Sequence, residues 1–198
     1  MTNNNDFKVY TDHEVDDVMW EKLLECETRV LADAGFAMGT ALKDCYKKHK
    51  EGVIVVVDGA VVVGFFNVLF LSDEQTANLQ NLKYWELQSI GPKIGDNNFY
   101  FFTAAIDKEY RGTDVVKLLC KELVRWCNDF EGKGVRIASF TGEAVLPGGV
   151  KLLSNVFGMK PMGSVNKDGL GFYYSPDCLK QYRKEMNCSG DFQSPKGE

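Results

Sequence analysis

Two consecutive apolar runs, VIVVV at 53–57 and VVVGFFNVLFL at 61–71, are separated only by Asp58, Gly59 and Ala60. Asp-Gly between apolar runs is a hairpin signal, because glycine takes the positive φ of a tight turn without a steric cost. A strand with one wet face alternates apolar and polar residues, and these strands do not alternate. Both faces of the hairpin must therefore be covered, which requires a sheet with a layer packed on each side. Each run is also too short to cross a bilayer as a helix.

The rest of the chain supplies the layers. MTNNND at 1–6 reads as a disordered start, followed by a short strand, FKVY, at 7–10. Thr11 and Glu14 have capping-box spacing. The predicted helix carries Val15, Met19, Leu23, Val30 and Leu31 on one stripe as far as Gly35, and a second helix is expected over 38–49. Residues 72–98 read as an insertion, helical in the first half of LKYWELQSIGPKIGDNN and a loop at its Gly-Pro and Gly-Asp steps. NFYFFTAAI at 98–106 is a strand by its aromatic and apolar content.

In the next segment Val116, Leu119, Leu123, Trp126 or Cys127, and Phe130 recur at helical spacing before glycines 132 and 134. VRIASF at 135–140 then reads as a strand and PGGVKLLSNVFG at 147–158 as a turn entering a helix. MKPMG and GLGFYYSP are predicted strands joined by a turn at 166–169, and the tail, 177–198, is mixed and ends in a polar SGDFQSPKGE, 189–198, that is expected to be mobile. With 198 residues and 44% apolar content, a single domain over 7–176 is expected.

Charge and cysteine usage exclude several functions. A net charge of −5, without an aromatic-interleaved basic stripe, predicts no nucleic-acid partner and slightly favours a cationic one. The first ten residues have neither the basic start nor the apolar core of a secretory signal, so a cytoplasmic protein with no membrane partner is expected. The six cysteines form no CxxC pair, and His13 and His49 lack ligand spacing. Reduced thiols and no metal are predicted.

The order strand, two helices, hairpin, strand, helix, strand, helix, two strands resembles the GNAT superfamily of acyl-CoA-dependent N-acetyltransferases. Two stretches carry the resemblance: AAIDKEYRGTDVVKLL at 104–119 is similar to the family's fourth strand, diphosphate loop and third helix, and KLLSNVFGMKPMG at 151–163 to its last helix and following strand. The implied fold is α/β, a twisted mixed sheet of about seven strands flanked by helices. The implied function is transfer of an acetyl or other acyl group from acetyl-CoA or another acyl-CoA to a primary amine of a small molecule or protein. The alternative is a non-catalytic binding or protein-interaction module that keeps the fold and has lost cofactor binding. The oligomeric state stays open, a homodimer included.

Carried over residue by residue, the resemblance implies that backbone groups of Ala104, Ala105, Ile106 and Asp107 align the pantetheine. Amides of Arg111, Gly112, Thr113, Asp114, Val115 and Val116 would meet the diphosphate, and Ser154 and Asn155 would lie near the sulfur. The family's loop places Gly, then Gly or Ala, where this chain has Asp114 and Val116. Its last-helix tyrosine, the acid for the leaving thiolate, is replaced by Ser154, with Tyr173 or Tyr174 as substitutes, and its strand-end asparagine by Pro147. Glu143, just beyond VRIASF, and Glu86 are the candidate bases.

Asp114 admits two arrangements. As N-cap, its carboxylate would take the amides a phosphate needs. With Thr113 as the cap, Asp114 would sit at the first helical position and point to water.

Overall fold

The computed structural model describes residues 7–32, 51–82, 86–163, 165–177 and 179. The expected N-terminal disorder, the second helix over 38–49 and the tail beyond 179 lie outside these residues. The elements run β1 (Phe7–Thr11), α1 (Asp17–Ala32), β2 (Val53–Asp58), β3 (Val61–Leu71), α2 (Asp73–Ala77), β4 (Gly95–Ile106), α3 (Val115–Gly132), β5 (Val135–Ala144), α4 (Pro147–Val150, continued by Lys151–Val156), β6 (Lys160–Pro161) and β7 (Gly171–Ser175). One sheet holds all seven strands in the order β1-β2-β3-β4-β5-β7-β6, with β4 and β5 parallel and every other pair antiparallel.

The apolar hairpin becomes β2 and β3, and both of its faces are covered. Ile54, Val56, Phe66, Val68 and Phe70 pack with Val115, Leu119, Leu123 and Trp126 of α3 and Leu153 of α4. On the other face Val53, Val55 and Phe65 pack with Trp20, Leu23 and Cys26 of α1. Leu69 and Leu71 are covered by Leu79 and Leu87 from the 72–94 segment. Phe101 and Phe157 stack with centroids 4.9 Å apart, joining β4 to the end of α4.

Several local expectations change. Glu14 does reach back to the Thr11 amide, at 3.0 Å, but the turn it closes is a single 3-10 turn, Asp12–Glu14. The helix starts later, where Asp16 Oδ1 accepts the Met19 amide at 2.8 Å and so supplies the N-cap. The last residues of the 72–98 insertion belong to β4, which begins at Gly95. Its first part is the short helix α2, capped by reciprocal bonds between Ser72 and Gln75. VRIASF continues to Ala144, so Glu143 lies inside β5 and not beyond it.

The sheet opens at one place. β4 pairs with β5 from Gly95↔Val135 to Phe101↔Gly142; past that point β4 pairs only with β3, and Glu143 and Ala144 pair only with β7. The opening coincides with a bulge. Asn67 faces Thr103 while Val68 faces Phe101, which leaves Phe102 as the extra residue, and an extra residue bends its strand and increases its twist. Two parallel strands thus diverge below the N-termini of α3 and α4.

Candidate functional site

A cleft of about 770 Å³ occupies the opening. Ala104 and Ile106 of β4, the turn residues Tyr110 to Thr113 and Val116 of α3 form one side, and Leu146 to Gly149, Lys151, Leu152 and Val156 form the other. Among the described lining residues there is no carboxylate, while Arg111 and Lys151 supply cations.

Backbone register determines what β4 offers the cleft. The Asp107 amide donates to the Val63 carbonyl at 2.9 Å, so alternation along the ladder turns the amides and carbonyls of Ala104 and Ile106 away from β3. Beyond Phe101 no β5 partner takes them. Arg111 Nε donates to the Ile106 carbonyl at 3.2 Å. Ala104 and Ile106 therefore border the gap, while Ala105 is buried against α1. Asp107 pairs with Arg29 at 2.9 Å and, like Ala105, lies outside the described lining.

Thr113 closes the start of α3. Its hydroxyl donates to the Tyr110 carbonyl at 2.6 Å and lies 3.4 Å from the Val115 amide, whereas the Asp114 carboxylate makes no capping bond. Asp114 contributes its carbonyl to the Leu118 amide at 2.9 Å, and its side chain is exposed outside the cleft lining. Of the two arrangements open in the sequence, the structure has the one in which Asp114 leaves the amides alone. Among the described residues, the Val116 and Lys117 amides have no hydrogen-bond acceptor. Gly112, at φ +83°, has nothing within 4 Å of where a Cβ would stand, so its backbone lies open. Val115 is buried against Gly64 and faces the core.

None of the remaining predicted residues is among the described lining of the cleft. Ser154 is half-buried with its hydroxyl 2.6 Å from the Val150 carbonyl, and neither it nor Asn155 is among the lining residues. Glu143 follows the last β4–β5 pair, and burial pushes its carboxyl above the usual range. Tyr174, paired with Thr141, is on the same sheet face as Glu143, away from α3. Tyr173 is buried on the α4 face with its hydroxyl donating to the Gly169 carbonyl at 2.7 Å. Glu86 is exposed in the connection before β4.

The sequence reading missed Tyr110, Lys151, Leu152 and Val156. Tyr110 donates to Asp58 Oδ2 at 3.0 Å, which holds the phenol proton and raises its pKa. The other three fall on one side of a widened turn, where the Phe157 amide reaches back five residues to the Leu152 carbonyl at 3.0 Å. Residue types gave no sign of that widening. Cys26, Cys120 and Cys127 are buried, with burial pushing the Cys26 thiol up to about 12. The described residues contain no cluster able to hold a metal and no helix long and apolar enough to cross a membrane.

No family model and no curated protein matches the chain. Solved structures do. The loading GNATL domain of CurA from Lyngbya majuscula superposes with a TM-score of 0.60 at 11% identity, over 89% of this chain and 100% of that one. A GNAT-family acetyltransferase from Staphylococcus aureus aligns at 0.55 and 12%, over 85% and 97% of the two chains. GphF, a GNAT-like decarboxylase in complex with isobutyryl-CoA, aligns at 0.56 and 15%, over 86% and 98%. Seven strands in one mixed sheet, the open β4–β5 pair and these superpositions together identify the architecture: the chain has the GNAT fold.

Proposed function

We propose that this protein transfers an acyl group from acyl-CoA to a primary amine of a small molecule or protein. The observation that carries the reading is the start of α3, where the Val116 and Lys117 amides are unpaired beside the open backbone of Gly112 and the Arg111 side chain. Free amides at a helix N-terminus, with the helix dipole behind them, suit a diphosphate. The absence of a carboxylate among the described lining residues removes the repulsion such an anion would meet.

The donor would supply a thioester carbonyl, open to an amine. This chain's residues would do the rest. Gly112, Val116 and Lys117 hold the diphosphate by their amides, Thr113 fixes the turn, and the Ala104 and Ile106 backbones line the pantetheine path. Glu143 is the residue we assign to take a proton from the substrate ammonium so that the neutral amine can attack, since a carboxyl raised by burial is a stronger base once ionised. Ser154 and Tyr174 are not among the described lining residues. The Ser154 hydroxyl is engaged, donating to the Val150 carbonyl, and the thiolate proton then comes from water.

A second reading has two observations in its favour. Arg111 Nε occupies the Ile106 carbonyl, and no phenol in the described lining is free, because Tyr110 is bonded to Asp58. A module that binds CoA without transferring an acyl group would show these features. GphF, with the same fold and a CoA thioester, is a decarboxylase, so fold alone does not determine the reaction.

Calorimetry with CoA and acetyl-CoA, followed by thiol release in the presence of a primary amine panel, tests both readings. Binding with amine-dependent thiol release is expected. Binding without release favours the module, and no heat with millimolar ligand removes the CoA site.

A further inference from the structure

Between the end of β4 at Ile106 and the start of α3 at Val115 the only regular element is the 3-10 turn Lys108–Tyr110. Side chains from other strands hold this segment in place. Phe7 of β1 and Asp58 of β2 are register partners, so their side chains stand next to each other on one face of the sheet. Both meet Tyr110. Asp58 Oδ2 accepts the phenol hydrogen at 3.0 Å, and the Phe7 ring lies edge to face on the Tyr110 ring with centroids 6.1 Å apart. The Tyr110 carbonyl then accepts two bonds from Thr113, from the amide at 3.2 Å and from the hydroxyl at 2.6 Å. Asp58 thus holds Tyr110, Tyr110 holds Thr113, and Thr113 stands between Gly112 and the first turn of α3.

The geometry points to Asp58 as a positioning residue for the anion-binding turn, acting through the Tyr110 phenol. The inference rests on the CoA reading of the cleft. Tyr110 borders the cleft, whereas neither Asp58 nor Phe7 is among its described lining residues. Folding alone gives the pair little to do: Asp58 and Tyr110 are both only partly buried, and a bond that water can replace adds little to stability. The β2–β3 hairpin is closed by its own backbone pairing, Asp58↔Val61 included, without the carboxylate. What the bond does fix is the place of the Tyr110 carbonyl, and with it the turn whose amides face the cleft. Donors already held in position lose less freedom when an anion arrives, which appears as affinity.

The test is calorimetry with CoA on the full chain and on Asp58→Ala, Asp58→Asn, Tyr110→Phe and the double variant Asp58→Ala with Tyr110→Phe, each first shown by urea denaturation to be folded at the titration temperature. Asp58→Ala and Asp58→Asn lose the same charge, but asparagine keeps an oxygen for the phenol, so the difference between them reads the bond. Asp58→Ala is expected to bind CoA about fivefold more weakly than Asp58→Asn, and Tyr110→Phe about fivefold more weakly than wild type. The double variant should match Tyr110→Phe within about twofold, because the two side chains act as one unit. A role confined to stability would lower the denaturation midpoints and leave CoA affinity unchanged in the folded variants, which overturns the inference. So do losses that multiply in the double variant. Should Asp58→Ala not fold, Tyr110→Phe decides, since it keeps the ring against Phe7: unchanged affinity overturns the inference, and a loss absent from Asp58→Asn supports it. No heat with the wild-type chain removes the cofactor reading, and this inference with it.

Discussion

The Thr113 hydroxyl and the Tyr110 carbonyl, 2.6 Å apart, hold the turn that opens α3 and leave Asp114 uninvolved in capping. The division of labour is testable. Thr113→Val removes the hydroxyl and should cost about 1 kcal/mol in urea unfolding, the usual worth of a cap. Asp114→Asn loses only an exposed charge near the helix dipole, about 0.3–1 kcal/mol at low salt. CoA affinity should fall in Thr113→Val and rise by less than about threefold in Asp114→Asn, with the rise vanishing at high salt. A large gain in the asparagine variant would mean that Asp114 does face the phosphates.

Arg111 has two calls on its side chain. In the free protein Nε donates to the Ile106 carbonyl, and with a diphosphate bound the guanidinium would turn to the anion. Replacement by methionine keeps the apolar stem and removes the charge. Arg111→Met is expected to weaken CoA binding by about tenfold and flatten its salt dependence, because loss of a charge-assisted contact outweighs freeing one exposed carbonyl. Titrations at two ionic strengths check this, and unchanged affinity would show Arg111 to be only a strut for β4.

Glu143 links pH to both stability and turnover. Its carboxyl is raised by burial, so the folded state prefers it protonated. The sign follows: its favourable contribution is complete below the unfolded value of about 4.5 and is lost as pH rises through the higher folded value. Glu143→Gln should therefore stabilise the protein relative to wild type near neutral pH and change little near pH 4. If Glu143 is also the base, the same variant loses amine-dependent thiol release while keeping CoA affinity. Loss of stability at neutral pH would show that the ionised carboxylate has a favourable partner.

Asp12 joins three elements. One carboxylate oxygen accepts the indole N–H of Trp126 at 2.7 Å and the other the Gly52 amide at 2.9 Å, tying the end of β1 to α3 and to the start of β2. The residue stands at φ +38°, a conformation L residues other than Asn and Asp seldom adopt. Asp12→Ala should destabilise by roughly 2–4 kcal/mol, since two donors lose a charged acceptor. Chemical denaturation measures it, and a cost below about 0.5 kcal/mol would mean that water replaces the carboxylate.

Elements whose signal is local were legible. The β2–β3 hairpin follows from Asp58-Gly59 and unbroken apolar strands, and α3 follows from its apolar spacing and closing glycines. Arg111 and Gly112 marked the turn for the same reason, because positive φ and a cation leave a trace in residue type. What depends on register left none. Ala104 and Ala105 are identical in sequence, yet one borders the cleft and the other is buried against α1, as pairing with β3 decides. Leu152 and Val156 look like ordinary core residues until the five-residue hydrogen bond of α4 turns both to one wall. The Thr11–Glu14 pair had the right spacing for a helix start, but Asp16, five residues after Thr11, takes the capping role.

Asn67 is the sharpest remaining mismatch between residue and surroundings. It is fully buried on β3 between Phe65 and Leu69, and neither of its amide atoms has a hydrogen-bond partner among the described residues. It faces Thr103 at the bulge, but the Thr103 hydroxyl donates to Glu27 Oε1 at 3.1 Å. An unpaired buried polar group costs about 1–3 kcal/mol, and leucine keeps the branched shape without that cost, its methyls being bulkier than the amide atoms they replace. Asn67→Leu should therefore raise stability by about 1–2 kcal/mol, read as a higher denaturation midpoint at unchanged slope. A bound water satisfying both amide atoms would reverse the sign, because the leucine would expel it and leave the bulge less well packed. A destabilised variant would thus overturn the assignment of Asn67 as an uncompensated polar group, and the buried amide would then be part of a hydrated bulge at the point where β4 leaves β5.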